Sequence, residues 1–293
     1  MLFDTNKIIV QELPSLGNEH TKVSTLRTDL IHPIVSGNKW FKLRFYLEEA
    51  KRLKCNTLAS FGGAYSNHIV AIAAACKLNG LASVGFIRGE SCNSPTLMEA
   101  EALGMQLHFI SRDAYKYKEV VMGEFANKGW FWINEGGYGI NGALGAASIL
   151  LVKDCSAFTH IICAAGTGTM LAGLVMGANE NQSVLGISVL KNNFGLNEMV
   201  NVLLPPEKSN AFTTIHDYHF GGYAKYPTKL IEYMNQLYSR EQLPTDIVYT
   251  SKLFYATEDL IQQQYFNQPA NLLIIHSGGL QGNRSLEPGR LIF

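Results

Sequence analysis

The chain has 293 residues, 47% hydrophobic and 16% charged, with 24 basic side chains against 24 acidic ones. That composition excludes a disordered chain, and the cancelled charge excludes the electrostatic footprint of a nucleic-acid or anionic-membrane binder. A globular α/β protein handling a small molecule remains, as one large domain or two lobes.

In chain order, the opening MLFDTNKIIVQELPS carries acids and amides and no apolar core, so no secretory leader is read there. HPIVSGNKWFKLRFYLEEAKR breaks from a Gly-Asn turn into an amphipathic helix. NTLASF reads as a strand and SNHIVAIAAACKLNG as a buried helix closed by glycine. ASVGFIRG is a strand, SPTLMEAEALG a helix with Ser94 as N-cap and Pro95 in its first turn, and MQLHFIS a strand. AYKYKEVVMGEFANKG is expected as one helix, WFWINEGG as a strand and NGALGAASILLVKD as a helix. FTHIICAA, SVLGISVL and NLLIIHSGG read as strands; TMLAGLVMGA, YPTKLIEYMNQLYS and SKLFYATEDLIQQQYF read as helices. This alternation predicts open parallel sheets with helices on both faces, and a division into two lobes near EGGYGINGALGA.

The five cysteines form no C-x-x-C pair and no histidine cluster has ligand spacing, so no metal is expected. The uncharged run HIICAAGTGTMLAGLVMGAN is broken by Gly166, Gly168, Gly173 and Gly177, which suits strand, loop and helix better than a membrane span. These features point to the reducing cytoplasm.

Three strands end in glycine-rich loops: SFGGAYSNH, AAGTGTMLAG and HSGGLQGN. Ligands of open parallel sheets bind beyond the carboxyl ends of strands, where loop amides and helix N-termini face outward. In AAGTGTM, Gly166 and Gly168 permit close backbone approach and Thr167 and Thr169 add hydroxyls, a pattern suited to a phosphate. Tight turns alone would also place glycine after each strand. The G-x-G-x-x-G spacing of a dinucleotide site and a Walker motif are both absent. Lys39 stands at a helix start, where a lysine is ordinarily a solvated charge. There the helix dipole and burial would both lower its pKa, as a Schiff-base lysine requires. Lys42 and Lys51 read as ordinary surface charges.

SGNKWFKLRFYLEEA, SFGGAYSNHIVAIAAA, EGGYGINGALGA, CAAGTGTMLAG, FGGYAKYP, DIVYTSK and IHSGGLQGN follow one another as in the 1-aminocyclopropane-1-carboxylate (ACC) deaminase and D-cysteine desulfhydrase family, which the chain resembles from about residue 26 to 283. The resemblance implies a pyridoxal 5'-phosphate (PLP) enzyme of the tryptophan-synthase-β fold type II. It implies a larger PLP-binding lobe of residues 1–41 and 138–293 and a smaller one of 42–137, in a cytoplasmic homodimer. Lys39 matches the lysine that carries PLP and moves the Cα proton. Ser66, Asn67 and His68 match the loop that receives the substrate carboxylate, with Asn67 also on the cofactor. Gly166, Thr167, Gly168 and Thr169 resemble the phosphate cradle, and Tyr223 and Tyr249 match two tyrosines facing the substrate. Packing with a capped hydroxyl is the plain alternative for either tyrosine.

Two positions divide the family. ACC deaminases carry glutamate at position 250, on the pyridine nitrogen, and leucine at 277; Thr250 and Ser277 match the desulfhydrases instead. A hydroxyl at the ring nitrogen favours elimination of a good β-leaving group over opening of a cyclopropane. The expectation is therefore a lyase taking D-cysteine or a related small amino acid to pyruvate, ammonia and sulfide. The alternatives are an ACC deaminase and a PLP-binding member without this turnover. Trp40 and Phe41 depart from the Thr-Arg that commonly follows the lysine, and are expected either to reshape the pocket or to pack the lobe junction.

Overall fold

The structure is a computed structural model that describes residues 4–293, so the first three positions of the opening stretch read as leaderless lie outside it. Two sheets organise the chain. The larger has six strands in the order β1 (Val10–Glu12), β2 (Thr21–Leu26), β10 (Ala270–Ile275), β7 (His160–Ala165), β8 (Ser183–Ser188) and β9 (Thr213–Ile215). The smaller has the order β5 (Met105–Ile110), β4 (Ala82–Arg88), β3 (Thr57–Gly62) and β6 (Phe131–Ile133). Every pairing is parallel except β1 with β2, an antiparallel edge on an otherwise parallel sheet. β7, β10 and β3 are buried along almost their whole length, as strands covered on both faces must be.

The helices are α1 (Asn38–Arg52), α2 (Asn67–Leu78), α3 (Pro95–Ala102), α4 (Lys118–Glu124), α5 (Ile140–Ala147), α6 (Thr169–Gly177), α7 (Leu196–Asn201), α8 (Thr228–Glu241) and α9 (Thr250–Gln262). α2 is buried all round, from Asn67 to Cys76, so its alanines let it lie between the smaller sheet and its neighbours α1 and α3. α1 packs on α5, with Phe41 fully buried at that seam, and α5 packs on α6. One apolar core runs from Leu58 of β3 and Ile69 of α2 through Phe41 and Ala143 to Ile161 of β7 and Leu171 of α6. The lobe boundary expected at 41/42 falls inside α1, a continuous helix.

The stretch AYKYKEVVMGEFANKG is not one helix. It forms a 3-10 turn, the two-turn α4 and a second 3-10 turn. Tyr115 turns inward to meet the Phe61 ring edge-on at 5.9 Å, and Gly129 closes the segment with φ +62°. β1, β2, β9 and α7 are elements that the sequence pattern did not announce. Among the described residues no helix is long and apolar enough to cross a membrane, and no acidic, histidine or cysteine group could hold a metal.

Candidate active site

Loops that follow β3, β5, β6, β7, β8, β9 and β10 converge on one cavity of about 790 Å³. Lys39, Ser66, Asn67, Tyr223, Tyr249 and Ser277 all line it, as do His68 and the turn 166–169. Lys39 lies in the first turn of α1, where its Nζ donates to Asn38 Oδ1 at 3.0 Å and stands 5.9 Å from the Tyr249 ring centroid. Burial lowers its pKa to about 8, while the charge of Asp246 works the other way. Gly37 makes this position possible. It has φ +58°, and a Cβ there would sit 2.0 Å from Ser277 O, so α1 starts directly against the loop after β10.

Ser66 caps α2 by accepting from Ile69 N at 3.4 Å, and no acid occupies the first turn, which leaves that helix end open to an anion. The Asn67 amide is only half used. Nδ2 makes a long bond to Gly279 O at 3.5 Å, and the buried Oδ1 has no partner among the described residues. His68 is nearly fully buried, with Nε2 3.0 Å from Ser60 Oγ. Burial first, then the charges of Lys39 and Lys42, hold it far below the usual imidazole range. It is a neutral ring whose Nε2 is engaged by the smaller sheet.

The turn from β7 into α6 has the predicted form. Gly168 is its left-handed N-cap at φ +80°, Thr167 and Thr169 hydroxyls lie 3.1 Å apart, and Asn193 Nδ2 holds Gly166 O at 3.0 Å. Tyr223 and Tyr249 meet edge-on at 6.4 Å, and the Tyr223 hydroxyl donates to Tyr65 O at 3.4 Å. Burial raises Tyr223 to about 12 and Tyr249 well above its ordinary value, so both are neutral phenols.

Thr250 is the predicted residue that the structure leaves outside the cavity. It is completely buried at the start of α9, donates from Oγ1 to Asp246 Oδ1 at 2.7 Å and accepts there from Asp246 N at 2.7 Å. Asp246 also accepts from the amides of Val248, Tyr249 and Thr250, so the threonine completes a helix-start network and its hydroxyl is not free for a ring nitrogen. Of the two residues taken to divide the family, only Ser277 lines the cavity. Trp40 and Phe41 do not line it; both pack into the core at the α1 seam.

Lys42 is a correction. Three residues after Lys39, it shares that face of α1 and points inward. It is 5% exposed, lines the cavity and donates to Gly136 O at 3.3 Å. Burial, and then the Lys39 charge, hold its pKa well below normal. Its i, i+3 spacing from Lys39 was the available signal. Lys51 is exposed as expected, bonding Asn79 at 2.9 Å. Lys252 was also passed over. It is fully buried and donates to Gly222 O at 2.7 Å, His219 O at 2.9 Å and Val189 O at 3.5 Å, which fastens the loop bearing Tyr223.

The residues fit a phosphorylated pyridine aldehyde. There is a low-pKa amine for the aldehyde, a half-unpartnered amide beside it, and a glycine-threonine turn at a helix N-terminus with a buried cation lining the same cavity. Comparison with known proteins decides the matter: the family model "Pyridoxal-phosphate dependent enzyme" matches residues 7–278. The chain belongs to that family. Its cofactor is pyridoxal phosphate. Among similar members, a protein of Pyrococcus abyssi named "Putative 1-aminocyclopropane-1-carboxylate deaminase" is 30% identical, over 93% of this chain and 89% of its own. The D-cysteine desulfhydrase of Salmonella paratyphi A is 24% identical over 92% and 90%. The solved structure of an ACC deaminase homologue superposes with a TM-score of 0.80 at 26% identity, covering 94% of this chain and 90% of that one. That likeness accounts for the two-sheet α/β architecture of a fold type II PLP enzyme.

Proposed function

We propose that this member of the family is a lyase that removes a β-substituent and the amino group from D-cysteine or a related small amino acid, yielding pyruvate, ammonia and sulfide. The observation that carries the reading is the Lys39 amine. It is held near pKa 8 inside the cavity, beside two neutral tyrosines and opposite the open N-terminus of α2. Bound PLP supplies the electron sink for a carbanion at Cα. Lys39 provides the covalent anchor and the base for the Cα proton. Ser66 and Asn67 orient the substrate carboxylate at the α2 N-terminus. Gly166, Thr167, Gly168 and Thr169 hold the phosphate, with Lys42 as the nearby cation, and Ser277 offers a hydroxyl to the ring nitrogen. Tyr223 and Tyr249 face the substrate, where a neutral phenol can pass a proton to a departing group or its product. His68 supports the carboxylate loop from beneath.

ACC deamination is the second reading, favoured by the higher identity to the Pyrococcus protein than to the Salmonella one. Withdrawal of Thr250 from the cavity removes one argument against it and leaves Ser277 as the other. The test is the purified protein supplied with PLP. Wild type should gain a visible absorbance band that borohydride abolishes, and Lys39→Ala should lack that band and lose at least 1,000-fold in turnover, on the order expected for removing a covalent catalytic group. Pyruvate from D-cysteine supports elimination, whereas 2-oxobutanoate from ACC as the main product would replace it with the second reading.

A homodimer in the cytoplasm goes with this reading. Ile140 and Leu144 on α5, and Phe194 and Val202 flanking α7, are exposed apolar side chains, and Tyr138 Oη ties the two elements by its bond to Met199 O. Light scattering should give twice the chain mass of 32.4 kDa, and a single-chain mass would remove the dimer.

A further inference from the structure

Two arginines stand at the cavity wall of the smaller sheet. Arg88 ends β4, Arg112 follows β5 by two residues, and both line the cavity. The register places Arg88 opposite Ile110. Arg112 Nε lies 3.8 Å from where a Cβ on Gly89 would sit, so its side chain runs beside the end of β4, and both arginines are exposed to solvent. Arg27, Arg52, Arg240 and Arg284 each hold a carboxylate. Arg88 and Arg112 hold none, and have no hydrogen-bond partner among the described residues; Arg88 only rests 5.7 Å from the Tyr115 ring. Glu135, the lining carboxylate, is taken by Lys118 Nζ at 2.8 Å.

Paired guanidinium groups without a counter-ion repel each other and attract an oxyanion, which they can bind in bidentate fashion. The Arg88 charge is felt at Tyr223, where it works against burial and against the larger effects of the Asp246 and Glu135 charges. An ordinary amino acid on PLP brings two anionic groups. The phosphate has the turn 166–169 and the α-carboxylate has the α2 N-terminus, which leaves the arginine pair unassigned. We propose that Arg88 and Arg112 form a subsite for a second anionic group on the substrate, carried at or beyond Cβ.

The inference rests on the elimination reading and narrows its substrates to amino acids with an acidic β-substituent. For O-phosphoserine the step balances without an oxidant. The Cα proton goes to Lys39 Nζ, the Cβ–O bond breaks, phosphate leaves with the electron pair, and the enamine takes up water to give pyruvate and ammonia. The experiment uses the PLP-loaded enzyme with both enantiomers of O-phosphoserine and of serine, and calorimetric binding of succinate against butyrate. We expect kcat/KM for the phosphate ester to exceed that for serine at least tenfold in one enantiomeric series. Succinate should bind at least tenfold more tightly than butyrate. The double variant Arg88→Gln, Arg112→Gln should collapse both ratios toward one, and added salt should shrink them in wild type. Ratios near one in wild type overturn the subsite, as do ratios that the double variant leaves intact or a variant defect confined to PLP affinity. Retained succinate preference without turnover of any amino acid would sink the elimination reading and leave the subsite standing. Turnover of serine or cysteine without either preference would do the reverse.

Discussion

Lys39 and Lys42 share one face of α1 and one low-dielectric wall, and each charge opposes the other. Lys42 has only a 3.3 Å bond to Gly136 O to offset its desolvation, so in the cofactor-free chain its ammonium is a burden. A dianionic phosphate would reverse that sign. Lys42→Met keeps the apolar stem and removes the charge. The cofactor-free variant should melt no lower than wild type, while its PLP dissociation constant, read by absorbance titration, rises at least tenfold, or about 1.4 kcal/mol. An unchanged dissociation constant would detach Lys42 from the phosphate. Sequence reading found Lys39 because a glycine-asparagine turn and a family motif mark it. It passed over Lys42 and Lys252 because a lysine on a helix is usually solvated, and only the packing of α5 and the loop 219–222 excludes water from them.

At the level of elements, the site depends on loops that bring helix starts against strand ends. The closest approach is at Gly37, whose amide donates to Thr28 O at 3.1 Å, next to Asn38 N on Ser277 O at 3.3 Å. Gly37→Ala adds a methyl group into Ser277 O at a positive φ, and we expect a loss of about 3 kcal/mol or more in urea unfolding, with PLP binding lost alongside. Gly80 has a similar φ of +67° but open space around it. Gly80→Ala should therefore cost only about 1 kcal/mol, the left-handed penalty alone. Equal losses would show that strain rather than contact governs both. β3, β4, β7, β8 and β10 were legible because strands buried on both faces read as apolar runs ending in glycine. β2, with Lys22 exposed between buried Thr21 and Val23, and the three-residue β1 and β9 carry too little pattern to announce themselves. The broken helix around α4 was misread because its residues have helical propensity, while Tyr115 gains more by packing on Phe61.

Across the whole molecule, buried lysines tie stability to pH. Lys39 and Lys252 release their protons at about pH 8 in the folded chain, against 10.5 when exposed, both through burial. Between these values the unfolded chain holds more protons, so stability rises with pH in that window. Above about pH 10 the cavity tyrosines reverse the sign, chiefly the half-buried Tyr249 and less the more exposed Tyr223, because both are held protonated in the fold beyond their ordinary value of 10.0. The cofactor-free protein should therefore gain Tm from about pH 8 to 10 and lose it beyond. Lys39→Met should flatten the rise by at most about 1.4 kcal/mol per pH unit, one proton's share. A Tm that falls steadily from pH 8 would contradict the burial of both amines.

The sequence by itself determined the alternation of strands and helices, the glycine turns at the strand ends and the lysine that defines the chemistry, because these depend on periodicity and on local backbone freedom. Tertiary structure alone decided which cations lose their water, that Thr250 turns to Asp246 instead of the cavity, and that Arg88 and Arg112 stand together without a counter-ion. Desolvation and pairing arise between segments far apart in the chain, and no local pattern encodes them.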